Sequence, residues 1–292
     1  MQRISYYKRY RRIYKKIISL HRELIKTALQ KQISSFADRY KKDVTTPIIV
    51  EKKSIAEAAR NLYLDAAFIN GKSVKKVLLK AMSKEQWYWV INEYFKRYLL
   101  SEVVEPITAT TVKQIEKILI QANNEGWGVD KTVRALKESP ITKMRAELIV
   151  RTETTRASNA GAMIAAAESG FVMQKEWVSA MDNRTRRIPR DQYDHLTMDG
   201  VTTDFDGLFI VPSTKTIDAM QFPGDPRASA GNVCNCRCTL IFKPVRDRNG
   251  RLIPIERSPS INPIYGLIAE AAAANLLIGN FINLILEENE AI

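Results

Sequence analysis

Between residues 6 and 40 the chain contains neither Gly nor Pro, and apolar side chains recur at Tyr10, Ile13, Ile17, Leu20, Leu24 and Ala28. That three-and-four spacing draws one stripe along a single long helix, because such positions share a helical face. Interleaved with the stripe are Lys8, Arg9, Arg11, Arg12, Lys15, Lys16, Arg22 and Lys26, so the opposite face is basic. Acids at i+4, which pair such charges on an ordinary solvated helix, are almost absent. Residues 1–53 hold fifteen Lys or Arg against four acids, a surplus of eleven in a 292-residue chain whose net charge is +13. Charge so concentrated predicts a polyanionic partner, either nucleic acid or an acidic protein surface, and these eight basic residues are the expected contacts if that partner is double-stranded DNA.

Thr45-Thr46-Pro47 ends this helix, and helical periodicity resumes at Ser54, the expected N-cap, to run as far as Gly71. Further helices are expected over 74–82, over 84–104 with a stop at Pro106, over 111–124 and over 130–138. Trp87, Tyr88, Trp89, Tyr94, Phe95 and Tyr98 fall at helical spacing and read as core rather than as a base-stacking surface. One more helix covers 141–169, with Gly170 placed for its C′ position. Beyond Gly170 the texture changes: β-rich runs at 171–181, 208–211 and 239–245 alternate with turns of Asp, Asn, Gly and Pro. The predicted fold class is α+β. A helical, basic N-terminal region fills 1–139, a compact α+β domain 140–246, and a linker with a terminal apolar helix 247–292.

That terminal stretch, 264–286, is long enough at ~1.5 Å per residue to cross a bilayer core of ~30 Å. Glu270, Asn275, Asn280 and Asn283 interrupt it. A helix packed in a protein interface is therefore expected, with membrane contact as the alternative. All three cysteines lie between Cys234 and Cys238, which does not describe a disulfide-stapled secreted scaffold. The basic start is followed by no apolar segment or cleavage site of a secretory signal, so use without export is expected.

The segment from Arg145 through Arg151 and Glu153 to Asn159 reads as the opening helix of the α+β region. Five motifs follow it in order: Trp177 at the end of a strand-like run; Asp182-Asn183-Arg184-Thr185-Arg186; His195 with Asp199-Gly200; Phe222-Pro223-Gly224-Asp225-Pro226; and Asn235-Cys236-Arg237-Cys238. Over 145–240, about a third of the chain, this series resembles the Mu F-like domain of the minor head, or head morphogenesis, proteins of tailed bacteriophages. The resemblance implies a non-enzymatic virion protein inside the capsid, made in the host cytoplasm and associated with the portal. It further implies a part in packaging or delivering DNA, with major capsid or scaffolding protein as additional candidate partners. One departure is that residues 187–194 intervene before His195, as if a loop had been inserted. Mu F-like domains are also joined to toxin domains, so a virion-delivered enzyme is the alternative function. Only 47 residues follow Val245, and any such activity is expected to reside in the Mu F-like domain itself.

His195, Cys236 and Cys238 offer three ligands of the kind zinc takes. Zinc needs four, so Cys234, Asp199 or Asp225 would have to complete a site. In a flat strand residues i and i+2 lie ~6.7 Å apart, whereas thiolates sharing one zinc lie under ~4 Å apart, so Cys-x-Cys must bend to chelate. Two buried thiols in a strand, with no cofactor, are the simpler expectation, and zinc is the alternative. A cysteine nucleophile with His195 as base and Asp199 as its orienter lacks an oxyanion-hole element. Asp199, Asp204, Asp206 and Asp225 crowd one region as a Mg²⁺ nuclease would require, but loops rich in Asp and Gly are commonly turns. Arg184, Arg186 and Arg237 suit phosphate contacts, while Arg237 equally suits a buried pair with Asp182 or Asp225.

Overall fold

A computed structural model describes residues 2–75, 89, 92–93, 100–139, 141–215 and 217–255. Most of the helices expected between 74 and 104, the aromatic cluster apart from Trp89, and the apolar segment 264–286 lie outside these residues. Trp89 is half-buried against the main core. No described helix is long and apolar enough to cross a membrane.

Helix α1 (Gln2–Lys42) is unbroken for 41 residues, about 60 Å at 1.5 Å per residue. Its inward face differs from the expected stripe: Leu20 and Leu24 are 53% and 50% exposed, while Tyr10, Tyr14, Ile17, Ile25, Leu29, Ile33 and Phe36 are buried. Two polar residues complete this face. His21 Nε2 lies 2.9 Å from an Asp65 carboxylate oxygen, and the Gln32 amide donates at 2.6 Å to the Glu51 carbonyl oxygen. Counting apolar residues alone passes over His21 and Gln32 and puts the stripe on the wrong side of Leu20 and Leu24.

Helix α2 (Lys53–Lys75) is capped from outside. The Ser54 backbone N–H donates to the Glu51 carboxylate at 2.9 Å, so Glu51 takes the capping role expected of Ser54, and the helix continues past Gly71. A short π-helical turn, Leu100–Val104, leads into α3 (Glu105–Asn124). Pro106 stands in the first turn of α3 and so opens a helix instead of stopping one, its missing N–H costing nothing where N–H groups have no helical partner. Helices α4 (Val129–Lys137) and α5 (Ile141–Ala167) follow, and Gly170 takes the left-handed conformation (φ +78°) after α5.

Helix α5 is the axis of the molecule, with α1 and α2 both lying along it. At Gly161 a β-carbon would fall 2.4 Å from the Ala67 carbonyl oxygen, so α5 and α2 cross backbone against backbone. One core runs from Ile17, Ile25 and Leu29 through Leu62 and Ala66 to Ala157, Met163, Trp177 and Leu240, crossing the 139/140 boundary drawn from the sequence. Each fully buried Ile or Leu there contributes roughly 1.5–3 kcal/mol. A second cluster joins Ile33, Phe36 and Ala37 to Ile115, Val133 and Leu136.

After α5 the chain builds a three-stranded antiparallel sheet in the order β2 (Thr202–Asp204), β1 (Met173–Val178), β5 (Thr239–Pro244), with Trp177 opposite Leu240. Strands β3 (Phe209–Val211) and β4 (Asp218–Met220) form a separate antiparallel pair, and a single turn of helix, α6 (Ala230–Val233), precedes the cysteines. The α+β arrangement with a helical N-terminal half is as the sequence predicts. Strands β2 and β4 were not expected; three residues are too few for alternation to show. Cys236 and Cys238 precede β5 and lie in a bent loop, not in a strand.

Candidate functional site

The motif loops dock on a polar strip of α5. Thr152 Oγ1 accepts the Asn235 N–H at 3.0 Å, and Thr155 donates to the Cys236 carbonyl oxygen. The Asn159 amide donates to the carbonyl oxygens of Pro223 (2.8 Å) and Cys238 (3.1 Å) and accepts from the Thr239 hydroxyl at 3.0 Å. Arg156 Nε donates to the Gly224 carbonyl oxygen at 3.0 Å, and its guanidinium pairs with Glu153 at 3.1 Å, both side chains under a tenth exposed. Glu153 also accepts from the Tyr63 hydroxyl, which ties α2 to the same network. Gly224 (φ +90°) sits where a β-carbon would come within 3.2 Å of the Arg156 backbone, so both conformation and space call for glycine.

The remaining motif residues brace the same loops. Asp182 accepts the Arg184 N–H at 3.0 Å and forms a bidentate pair with Arg237, one of the two partners expected for that arginine. The Arg237 hydrogen bond holds the Asp182 carboxyl down at about 2. Arg186 donates to the Cys234 carbonyl oxygen, Asp199 accepts the Ser179 N–H at 2.9 Å and pairs with Arg3, and Asp225 accepts the Gln221 N–H at 2.8 Å and pairs with Arg227. Among the described residues no group of three carboxylates converges as a metal-dependent nuclease would need.

His195, Cys236 and Cys238 come together in the interior, each 2% exposed. Nδ1 of His195 lies 3.6 Å from the Sγ of each cysteine. Asn235 in the left-handed region (φ +58°) turns the chain so that both thiols reach one side. The Cys238 N–H then points to Cys236 Sγ at 3.5 Å. Cys236 is shifted well below the ordinary thiol range by the hydrogen bond from Cys238 and by the imidazole, whereas burial pushes Cys238 well above it. Cys234 is half-buried and outside the group, and neither Asp199 nor Asp225 reaches it. The orienter of His195 is not Asp199 but Asn232, whose Oδ1 sits 2.5 Å from Nε2 and whose amide donates to Asp218 at 2.9 Å. Within residues 187–194, which separate His195 from Arg186, Arg190 donates to the Thr185 carbonyl oxygen at 2.6 Å.

On the outside, the two halves of the basic helix differ. Arg22 pairs with Glu147 (3.6 Å) and Lys26 with Glu23 (3.1 Å). Lys8, Arg9, Arg11, Arg12, Lys15 and Lys16 have no acidic partner among the described residues; Arg9 and Arg11 lie instead over the rings of Tyr6 and Tyr14 at 5.5 and 5.6 Å. Arg11 and Lys15 line a cleft of about 420 Å³ together with Arg151, Arg184 and Arg237, against one acid, Glu147. Arg151 is held by Glu147 at 2.7 Å and Arg237 by Asp182, which leaves Arg11, Lys15 and the exposed Arg184 as the cations open to a ligand.

Residues 113–241 match the family described as Phage Mu protein F like protein. This stretch is similar to the Mu F-like domain. The chain is also 30% identical over 148 residues to the minor head protein GP7 of Bacillus phage SPP1, covering 49% of this chain and 44% of that protein. It is 28% identical over 173 residues to the uncharacterized protein YqbB of Bacillus subtilis (strain 168), covering 59% and 52%. The chain thus spans about half the length of the curated relatives it matches. No solved structure matches it significantly. Within the matched residues, sequence reasoning missed Asn232, Ser179 and Thr155, which act through backbone carbonyls and the imidazole and belong to no charged or metal-binding pattern. Arg3, which pairs with both Asp199 and Glu176, was missed because the helix was expected to begin later.

Proposed function

We propose that this chain is a head morphogenesis protein of a tailed phage, carried in the virion inside the capsid and associated with the portal. In this reading it is structural, not catalytic, and it holds double-stranded DNA through the first half of α1 and the adjoining cleft during packaging or ejection. The supporting observation is the row Lys8–Lys16, six cations without acidic partners among the described residues, on a helix whose other face is locked into the core. A rigid row of cations meets successive backbone phosphates without reading bases, and guanidinium groups such as Arg11 and Arg184 suit the planar phosphate edge. The family match and the relative named as a minor head protein support the assembly role. The burial of His195, Cys236 and Cys238, each out of reach of solvent, favours a structural over a nucleophilic use of the cysteines.

The test is binding of the full chain to two duplexes of unrelated sequence across a salt series. With 6–10 phosphate contacts the affinity is expected to fall by about 10³–10⁵ between 50 and 200 mM salt, with no preference between duplexes. The triple variant Arg11→Ala, Lys15→Ala, Arg184→Ala should weaken binding and flatten the salt slope by about three. Binding that survives high salt, or a triple variant that binds like the parent, rejects the DNA reading. Cross-linking of assembled heads tests the portal contact separately.

A further inference from the structure

The buried group at His195, Cys236 and Cys238 has a geometry that two packed thiols do not need. In a tetrahedral zinc site with Zn–S near 2.3 Å and Zn–N near 2.0–2.1 Å, the nitrogen and sulfur ligands stand about 3.5 Å apart. Here both Nδ1–Sγ separations are 3.6 Å, and the three ligand atoms lie within 4.8 Å of one another. We propose that His195 Nδ1, Cys236 Sγ and Cys238 Sγ bind a zinc ion that pins the Cys-x-Cys loop and α6 to the end of the sheet.

Three further observations point the same way. First, a histidine that binds metal through one nitrogen donates its other N–H to a fixed acceptor, which sets the tautomer. The Asn232 amide oxygen stands 2.5 Å from Nε2, and Asn232 is itself fixed by its N–H bond to Asp218 at 2.9 Å, leaving the Nδ1 lone pair directed at the sulfurs. Second, the Cys238 N–H aimed at Cys236 Sγ at 3.5 Å is the kind of bond that stabilises a thiolate ligand. Third, charge balances. Binding displaces two thiol protons, and Zn²⁺ with two thiolates and a neutral imidazole is uncharged, so it fits an interior where Trp177 packs edge-on against His195 at 5.4 Å. Among the described residues no fourth His, Cys, Asp or Glu joins the three, so the fourth ligand is assigned to an oxygen of water or of Ser179, whose Oγ lies 3.9 Å from Cys238 Sγ. Cys234 is outside the site.

The full chain, expressed with zinc and dialysed against metal-free buffer, is expected to retain one zinc ion per chain by elemental analysis. Replacing zinc with cobalt(II) should give a thiolate-to-cobalt charge-transfer band, with visible intensities typical of four-coordination. Cys236→Ser and Cys238→Ser should each lose retained zinc and weaken the band, while Cys234→Ser keeps both. Stripping wild-type protein with a chelator should lower its Tm and adding zinc should restore it, a readout that requires no variant to fold. The inference is overturned if the wild type retains no zinc and cobalt gives no thiolate band, or if Cys234→Ser loses the metal while Cys236→Ser keeps it. None of these outcomes depends on DNA binding, so this inference and the proposed function stand or fall apart.

Discussion

Two polar surfaces of this molecule are built on opposite terms. Along α5, Thr152, Thr155, Arg156 and Asn159 are buried and direct hydrogen bonds to the carbonyls and N–H groups of the motif loops, with Glu153 buried beside them as the partner of Arg156. Along the first half of α1, Lys8, Arg12, Lys15 and Lys16 are exposed and meet no acid among the described residues. Removing water from the first surface has already been compensated inside the fold, whereas the second leaves its charges hydrated and available. The motifs that carry the resemblance to the Mu F-like family thus belong to the compensated surface. The expected partner belongs to the other.

The contrast can be broken from either side. The largest effect should come from Arg156→Leu or Glu153→Ala, which leave one buried charge without its counterpart. Chemical denaturation should show a loss of about 3–5 kcal/mol. A loss under ~1 kcal/mol would mean that water enters the strip and that α5 does not hold the loops. Next, Gly161→Ala forces a methyl against the Ala67 carbonyl and should cost roughly 1–3 kcal/mol by the same measurement. A neutral result there would show that α2 and α5 can part without penalty.

On the α1 surface, Arg12→Ala with Lys16→Ala should leave stability within about 0.5 kcal/mol while lowering the salt slope of DNA binding by about two. If this double change unfolds the protein as readily as Arg156→Leu, the two surfaces are not different in kind. The smallest effect concerns acid. Asp182 has its folded pKa lowered to about 2 by Arg237, against about 3.9 in an unfolded chain. The pair therefore stabilises fully above about pH 4 and loses its contribution as pH falls from there towards 2. Asp182→Asn should flatten that limb of the stability–pH curve; an unchanged limb would show the pair to be energetically idle.

How much of this was legible in the sequence follows the same division. Helices announce themselves through runs with few or no Gly and Pro, and α1, α4 and α5 were placed to within a few residues, α5 in spite of Gly161. The Mu F-like series was readable because its residues take special backbone or buried roles, such as Gly224 at positive φ and Arg237 against Asp182. The inward face of α1 was misjudged because His21 and Gln32 act as core residues only once Asp65 and Glu51 are brought to them from α2 and its approach. Asn232 was invisible for a like reason: one turn of helix four residues long brings it to His195, and nothing in the string Ala230-Gly231-Asn232-Val233 forecasts that. The convergence of Arg11 and Lys15 with Arg184, 173 positions after Arg11, is likewise a fact of the fold alone.

The unbroken length of α1 has a mechanical consequence. The row Lys8–Lys16 and the buried residues Tyr10, Tyr14, Ile17, Ile25 and Leu29 share one rod with no hinge between them. A duplex held on that row, as proposed, would pull on the whole rod and not on a hinged segment of it. Tension along the rod would load its buried contacts together, in shear, so that the core beneath the row would set how much pull it withstands.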